Sequence, residues 1–487
     1  MRKIAALALL ATTSACSMNP RLEVPEPPVA PAYPEVVAEA ESAAALDWRQ
    51  MFGDPRLQRL IELALENNRD LRIAALNVDA ARSQFRMARG AQLPQVDAQG
   101  SYTRQRMPTS TAGAAMGGGI GGAGGPSGFE FGQYAANAAL TSFEIDLFGR
   151  LRSQSQAAFE RYLASDEGRR ATRIALIGSV VDAYLAERLA EEQLALTQST
   201  LKDWTVSLDI VNRLHEAKQN SGLDVAQAEG QVRQAEADLA ARTRGLAEAR
   251  NMLQLLVGGP IPQDLPAPIA LTDQPIETQL PVGLPSDLIV NRPDIRQAEH
   301  ELVASNADVG AARAAFFPRI SLTALFGFTS LALDSLFDKD NRTWSFSPQI
   351  SQPIFRGGSL RAEYRLAEVR KSIAVAQYEK TIQSAFREVA DGLAGRETYV
   401  RQSDAQNKVV AAATRRTELS NLRYRAGVDS RLELLDAQRS EYAAKQTLLN
   451  LRQQALSSAT GLYRALGGGD GQQQAVAASG TAPAPAE

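Results

Sequence analysis

Cysteine, histidine and long apolar runs are almost missing from this 487-residue chain, and each shortage closes off a class of function. The single cysteine, Cys16, excludes an intrachain disulfide. Two histidines, His215 and His300, stand far apart on helical runs, with no nucleophile, metal or phosphate motif around them, so an enzyme reading has little support. His215 continues a helical seam and is expected to be a packed residue. The net charge of −3 gives neither a nucleic-acid nor a polybasic signal. Beyond a short N-terminal stretch, no segment reaches the ~20 apolar residues of a membrane-spanning helix. Proline is also missing over long spans: none occurs between Phe148 and Lys218, or between Pro353 and Pro483. Helices can therefore run unbroken there.

Those proline-free spans carry coiled-coil spacing. Leu194, Leu201, Trp204, Leu208 and Val211 form one seam, and Val225, Val232, Leu239, Leu246 and Leu253 fall at intervals of seven after a turn at Lys218–Ser221. Leu435, Tyr442, Leu449, Leu456 and Tyr463 repeat that interval after a turn broken by Gly427. Two long helical hairpins follow. The chain is moreover duplicated in pattern: Asp70 and Pro94 recur 224 positions on as Asp294 and Pro318. Asn212, Ser221, Leu223, Ala228 and Gly258 recur 209 positions on as Asn421, Ser430, Leu432, Ala437 and Gly467. The change of offset falls in the Gly-rich insertion Gly113 to Gly128, a loop-length difference between tandem repeats. Repeat 1 is expected over 46–258, with a β-hairpin at 95–143 and a helical hairpin at 148–257. A Pro-rich linker covers 259–285. Repeat 2 spans 286–466, with its β-hairpin at 319–352 and its helical hairpin at 358–466.

The N-terminus has the design of an export signal over 1–15: Arg2 and Lys3, an apolar run, then small residues before Cys16. A thioether-linked lipid on Cys16 would anchor the mature chain to a bilayer; an ordinary cleavage signal with an incidental cysteine is the alternative. Residues 16–45 then read as a lipid-anchored, Pro-rich tether, and 467–487 as a disordered tail.

Between the helices lie the strand signals. Val96, Ala98 and Tyr102 alternate with polar residues, and Ile320, Leu322, Ala324, Phe326 and Phe328 alternate after Pro318. Return strands are expected over Phe131 to Phe143, where alternation is weak, and over Thr343 to Gln352. Each is ~10 residues, long enough to cross a bilayer within a barrel, yet four strands cannot close alone. Several chains would have to share one barrel to satisfy the open edges.

Gly283-Leu-Pro-Ser-Asp-Leu-Ile-Val-Asn-Arg-Pro-Asp-Ile-Arg-Gln-Ala-Glu299, Ala311-Ala-Arg-Ala-Ala-Phe-Phe-Pro-Arg-Ile-Ser-Leu-Thr323 and the tip Tyr424-Arg-Ala-Gly-Val-Asp-Ser430 with Leu434-Leu-Asp-Ala-Gln-Arg439 closely resemble outer-membrane efflux factors of the TolC type. The subfamily they resemble is the lipoprotein component of resistance-nodulation-division pumps, over about Asp47 to Gly467. The resemblance implies a mostly α fold with a transmembrane β part: a homotrimer with a 12-stranded β-barrel, four strands per chain, continuous with a 12-helix periplasmic α-barrel. It implies a passive export duct in the outer membrane. The implied partners are outer-membrane lipid, a periplasmic adaptor protein and an inner-membrane pump, with no nucleic acid and no cofactor beyond lipid at Cys16. Ser17 after the cysteine resembles an outer-membrane sorting signal, whereas Thr13 stands where such signals carry Leu.

In that family the hairpin tips narrow the duct and meet the adaptor. The role falls by motif on Gly427, Val428, Asp429 and Ser430, and in the first repeat on Lys218, Asn220 and Ser221, where Lys218 replaces the usual glycine. Asp224 and Glu433 occupy equivalent positions one turn beyond the tips. Carboxylates at a constriction favour cations; equally, a carboxylate at a helix start complements the helix dipole. Arg425 and Arg431 are expected to latch neighbouring helices. A type I protein-secretion duct shares the fold, and a periplasmic adaptor is a further alternative; that protein would carry one hairpin flanked by β-rich domains.

Overall fold

The structure is a computed structural model that describes residues 18–30, 46–108, 129–278, 280 and 292–468. The signal segment, Cys16, the Gly-rich insertion, Gly283–Asn291 and the tail from 469 lie outside the described residues. In order, the elements are α1 (Trp48–Met51), α2 (Pro55–Asn67), α3 (Arg69–Gly90), β1 (Val96–Met107), β2 (Phe129–Ile145), α4 (Arg150–Glu216), α5 (Gly222–Val257), α6 (Pro293–Ala314), β3 (Arg319–Ser330), β4 (Arg342–Ser351), α7 (Ser359–Arg425) and α8 (Arg431–Ala465). The chain is mostly helical. Helices α4 and α7 each hold 67 residues, roughly 100 Å of helix at 1.5 Å per residue. Helix α3 stops at Gly90 and α6 at Ala314, each four residues before a proline, Pro94 and Pro318. In both places a short turn precedes the proline, because the residue before a proline avoids the helical region.

The chain divides into two compact units. One comprises the described parts of Met1–Val24, Asp79–Leu163 and His300–Ala376; the other comprises those of Pro25–Val78, Ala164–Glu299 and Gln377–Glu487. The first holds a four-stranded antiparallel sheet in the order β1-β2-β3-β4. Its register sorts side chains by polarity. Tyr102 stands opposite Tyr134, Ala138 opposite Phe326, Phe326 opposite Trp344, and Ile320 opposite Ile350. One face thus collects Val96, Tyr102, Phe326, Trp344, Phe346 and Ile350, all exposed to solvent in the single chain. Gln99, Ser101, Thr103, Asn137, Thr323 and Ser347 alternate onto the other face.

The weak alternation in β2 has a physical cause. Leu140 faces Ala324 and Phe143 faces Leu322, so Thr141 and Ser142 together oppose one residue: a β-bulge, with Ser142 at φ +52°. The extra residue returns Phe143 and Ile145 to the apolar side, where an unbroken period of two would have turned them away.

In the same unit the described N-terminal residues are seated on helices. Asn19 donates to Gln156 Oε1 (2.8 Å) and accepts from Ser153 Oγ (2.7 Å), and the Pro20 carbonyl accepts from Asn306 (2.9 Å). A Cβ at Gly310 would collide with the Asn19 side chain, so glycine makes room for this passage.

The core of the second unit forms where α1 and α2 pack on α4, α5, α7 and α8, with Phe52, Leu57, Leu60, Ile61, Tyr184 and Tyr463 fully buried. Asp54 caps α2, accepting from the Arg56 amide (2.8 Å). Buried itself, it also accepts from the Tyr184 hydroxyl (2.7 Å) and Gln274 Nε2 (3.2 Å), which ties the linker to the core. Burial, then the bond to Asp54, hold the Tyr184 phenol well above its usual range. The linker is secured again by an antiparallel bridge between Phe52 and Ile276.

Candidate functional site

Both long hairpins turn in the second unit, and their tips bring together every tip residue singled out from the sequence. The two turns share one backbone design. After α4, the Lys218 amide donates to the His215 carbonyl and the Gln219 amide to the Leu214 carbonyl, both at 2.8 Å. After α7, Gly427 donates to Tyr424 and Val428 to Arg423, both at 3.0 Å. This pair of bonds is the Schellman helix ending, which needs a left-handed residue at its hinge. Gly427 supplies it at φ +72° without strain. Lys218 adopts φ +57° despite its Cβ, a conformation costing about 1–2 kcal/mol in non-glycine residues.

Beyond the hinges the chemistry diverges. At the first tip Ser221 and Asp224 form a capping box: the Ser221 hydroxyl oxygen accepts from the Asp224 amide (3.3 Å), while Asp224 accepts from the Ser221 amide (3.0 Å) and hydroxyl (2.7 Å). Asn220 closes the turn by donating to the Val211 carbonyl (3.0 Å), and its own carbonyl lies 3.2 Å from His215 Nδ1. His215 is therefore not the packed residue expected; it is exposed, because the seam ends at Val211.

At the second tip Ser430 stands at the N-cap but makes no capping bond. Ion pairs replace it. Arg423 grips Asp429 with Nε and Nη2, at 2.6 and 2.8 Å. Arg416 reaches across from α7 to Glu433 and Asp436, each at 2.8 Å, and Arg439 adds a bond to Asp436 at 2.9 Å. The expected latch through Arg425 and Arg431 is thus corrected. Arg431 is buried, donates to Ser207 Oγ of α4 (2.7 Å) and stacks 5.5 Å over the Tyr424 ring, while the carboxylates take Arg423 and Arg416. Arg423 stands six residues before Asp429, across the turn, a proximity that the Schellman geometry creates and sequence spacing alone conceals.

The Arg423 bond holds the Asp429 carboxyl below the usual carboxylate range, and the Ser221 bonds do the same for Asp224. Arg416 and Arg439 lower Asp436. A hollow of about 720 Å³ opens between α7 and α8, lined by Arg415, Arg416, Arg423, Asp429, Ser430 and Glu433. Val428 at the apex is 64% exposed, and Leu223 and Leu432 lie exposed beside the two tips. Among the described residues no group of three or more His, Cys, Asp or Glu could hold a metal ion. Nor is any described helix long and apolar enough to cross a membrane.

The whole chain is similar to known proteins in sequence and in fold. The chain is 45% identical over 460 residues to the toluene efflux pump outer membrane protein TtgC of Pseudomonas putida, covering 93% of each. It is 42% identical over 469 residues to outer membrane protein OprJ of Pseudomonas aeruginosa, covering 96% of this chain and 95% of OprJ. Among solved structures, the open state of the MtrE outer membrane channel of Neisseria gonorrhoeae matches with a TM-score of 0.82 at 39% identity, over 93% of this chain and 98% of MtrE. CusC matches at 0.80 and 36% identity, over 93% of this chain and all of CusC. The model of the outer membrane efflux protein family matches residues 60–259 and 284–468, and the chain belongs to that family.

Proposed function

We propose that this chain is the outer-membrane channel of a tripartite efflux pump, a passive exit duct for small molecules whose energy and substrate choice reside in an inner-membrane pump. One observation carries the reading: a sheet with one face apolar over most of its length and charged only at one end through Arg104, Arg106, Glu130 and Arg342, the other face mainly polar, and two unpaired edges, β1 and β4. An apolar outer face suits lipid and a polar inner face suits water, but unpaired edges cannot stay open in a bilayer. Three copies would close twelve strands into one barrel, a homotrimer, above twelve helices that form the periplasmic conduit, each chain a tandem repeat. The names of the relatives support small-molecule export over protein secretion, TtgC being a toluene efflux pump protein. Cys16 carries the lipid anchor in this reading, and the tips Lys218–Ser221 and Gly427–Ser430 close the conduit and receive the periplasmic adaptor.

The Arg423–Asp429 pair holds the second tip in its closed form, with Glu433 and Asp436 bound to Arg416 behind it. Single-channel conductance in planar bilayers tests this. The native protein should conduct poorly and Asp429→Ala several-fold better; equal conductance would sink the aspartate closure. Mass measurement of the detergent-extracted protein should give three chains, each with acyl additions.

A further inference from the structure

The apolar face of the sheet differs at its two ends. Along β1, from the helix end to the hairpin end, it reads Val96, Ala98, Gly100, Tyr102, Arg104 and Arg106. Along β4, read in the same direction, it is Ile350, Pro348, Phe346, Trp344 and Arg342. Both edge strands thus pass from aliphatic to aromatic to arginine. At the helix end the four strands finish this face in Val96, Ile145, Ile320 and Ile350, with no charge among them.

The aromatic step is oriented. A Cβ at Gly132 would collide with the ring and hydroxyl of Tyr102, so that ring leans over Gly132, the residue opposite Arg104, and carries its polar end toward the arginines. Tyr134 packs on it, with ring centroids 4.6 Å apart. Rings with one apolar and one polar end suit the boundary between hydrocarbon and head groups. Beyond them, Arg104 donates to Glu130 (3.0 Å), and Arg106 stands opposite the same carboxylate. One acid there serves two arginines. Arg342 lies beside Phe326, its Cζ 5.5 Å from the ring centroid. All three arginines are exposed. The acids nearest Arg342 in sequence, Asp338 and Asp340, belong to the connection between β3 and β4, beyond the strands.

The topology gathers these charges. A neighbouring copy that pairs its β4 with this chain's β1 sets all three arginines at the hairpin end of one strand pair. Guanidinium groups just past an aromatic belt stand at the level of lipid head groups, and their planar fork matches phosphate. We infer that Arg104, Arg106 and Arg342 hold the phosphates of a polyanionic lipid head group, in the leaflet at the hairpin end of the barrel. The strands offer no such contact at the helix end, so one leaflet alone is recognised. The inference rests on the shared-barrel reading above.

The test uses the full-length protein purified in detergent, incubated with bisphosphorylated lipid A, dephosphorylated lipid A or phosphatidylethanolamine, and read by native mass spectrometry. The native trimer should retain bisphosphorylated lipid A at least about fivefold more than the triple variant Arg104→Gln, Arg106→Gln, Arg342→Gln, and at least about fivefold more than the dephosphorylated form. Phosphatidylethanolamine should be retained equally by both proteins. Trimers of native and variant protein that retain lipid A equally, or a native trimer indifferent to its phosphates, would overturn the lipid site and leave the barrel standing; a native monomer would overturn the barrel itself. Should the variant not assemble, the two forms of lipid A on the native trimer decide the matter alone. Displacement of the lipid by inorganic phosphate, beyond that by chloride at equal ionic strength, would assign the arginines to a free anion and also overturn the inference.

Discussion

The two hairpin tips solve one backbone problem with opposite chemistry. Both end a 67-residue helix in a Schellman turn, hinged at Lys218 in one and at Gly427 in the other. The first tip is then held by a local capping box that joins Ser221 to Asp224 within one turn. The second lacks that box and is held by Arg423 and Arg416, which reach from α7 to carboxylates beyond the turn. A capping box acts at short range and is satisfied within its own helix, so it leaves the neighbouring helix free. Ion pairs across the turn couple two helices, are weakened by salt, and bind only weakly when exposed. The difference suits a rigid first tip and a second tip that can be switched.

The comparison can be broken most directly at the caps. Ser221→Ala should cost about 1 kcal/mol locally, the usual cost of a lost N-cap, whereas Ser430→Ala should cost close to nothing because Ser430 makes no capping bond. Hydrogen exchange of the amides at the start of α5 and α8 would show it; equal acceleration at both tips would erase the distinction.

A somewhat smaller effect is expected at the hinges. Lys218→Gly should relieve the left-handed strain and stabilise the first tip by several tenths of a kcal/mol, after the added chain entropy of glycine is offset. Gly427→Ala should do the reverse. Protection of the Gln219 and Val428 amides reports each change, and a Lys218→Gly tip that exchanges faster would contradict the strain.

The smallest effect near neutral pH is titration. Because Asp429 and Asp224 have depressed folded pKa values, their bonds are complete above the ordinary carboxylate range near 4 and are lost only as pH falls through those lowered values. Conductance should thus hold constant from pH 8 to 5 and change only in more acidic solution. A transition between pH 8 and 5 would contradict the assignment to these two carboxylates.

Helices and strands were largely legible because heptad spacing and strand alternation are local signals. The seams Val225 to Leu253 and Leu435 to Tyr463 lie within α5 and α8. The irregular part of β2 was not legible, since a bulge at Thr141 and Ser142 erases the period that identifies a strand. At the tips, the family motif singled out Asp429 and the repeat offset Glu433, with Arg425 and Arg431 expected to latch neighbouring helices. The real partners, Arg423 and Arg416, are chosen by how a Schellman turn rotates the incoming helix against the outgoing one.

The surplus residue in β2 works as a frame correction. Loss of both Thr141 and Ser142 would turn Phe143 and Ile145 to the polar face and Glu144 to the apolar one although every remaining residue stayed the same, whereas loss of either one alone would remove the bulge and keep Phe143 opposite Leu322. Homologous exchange across this strand is therefore constrained by residue count as firmly as by residue type.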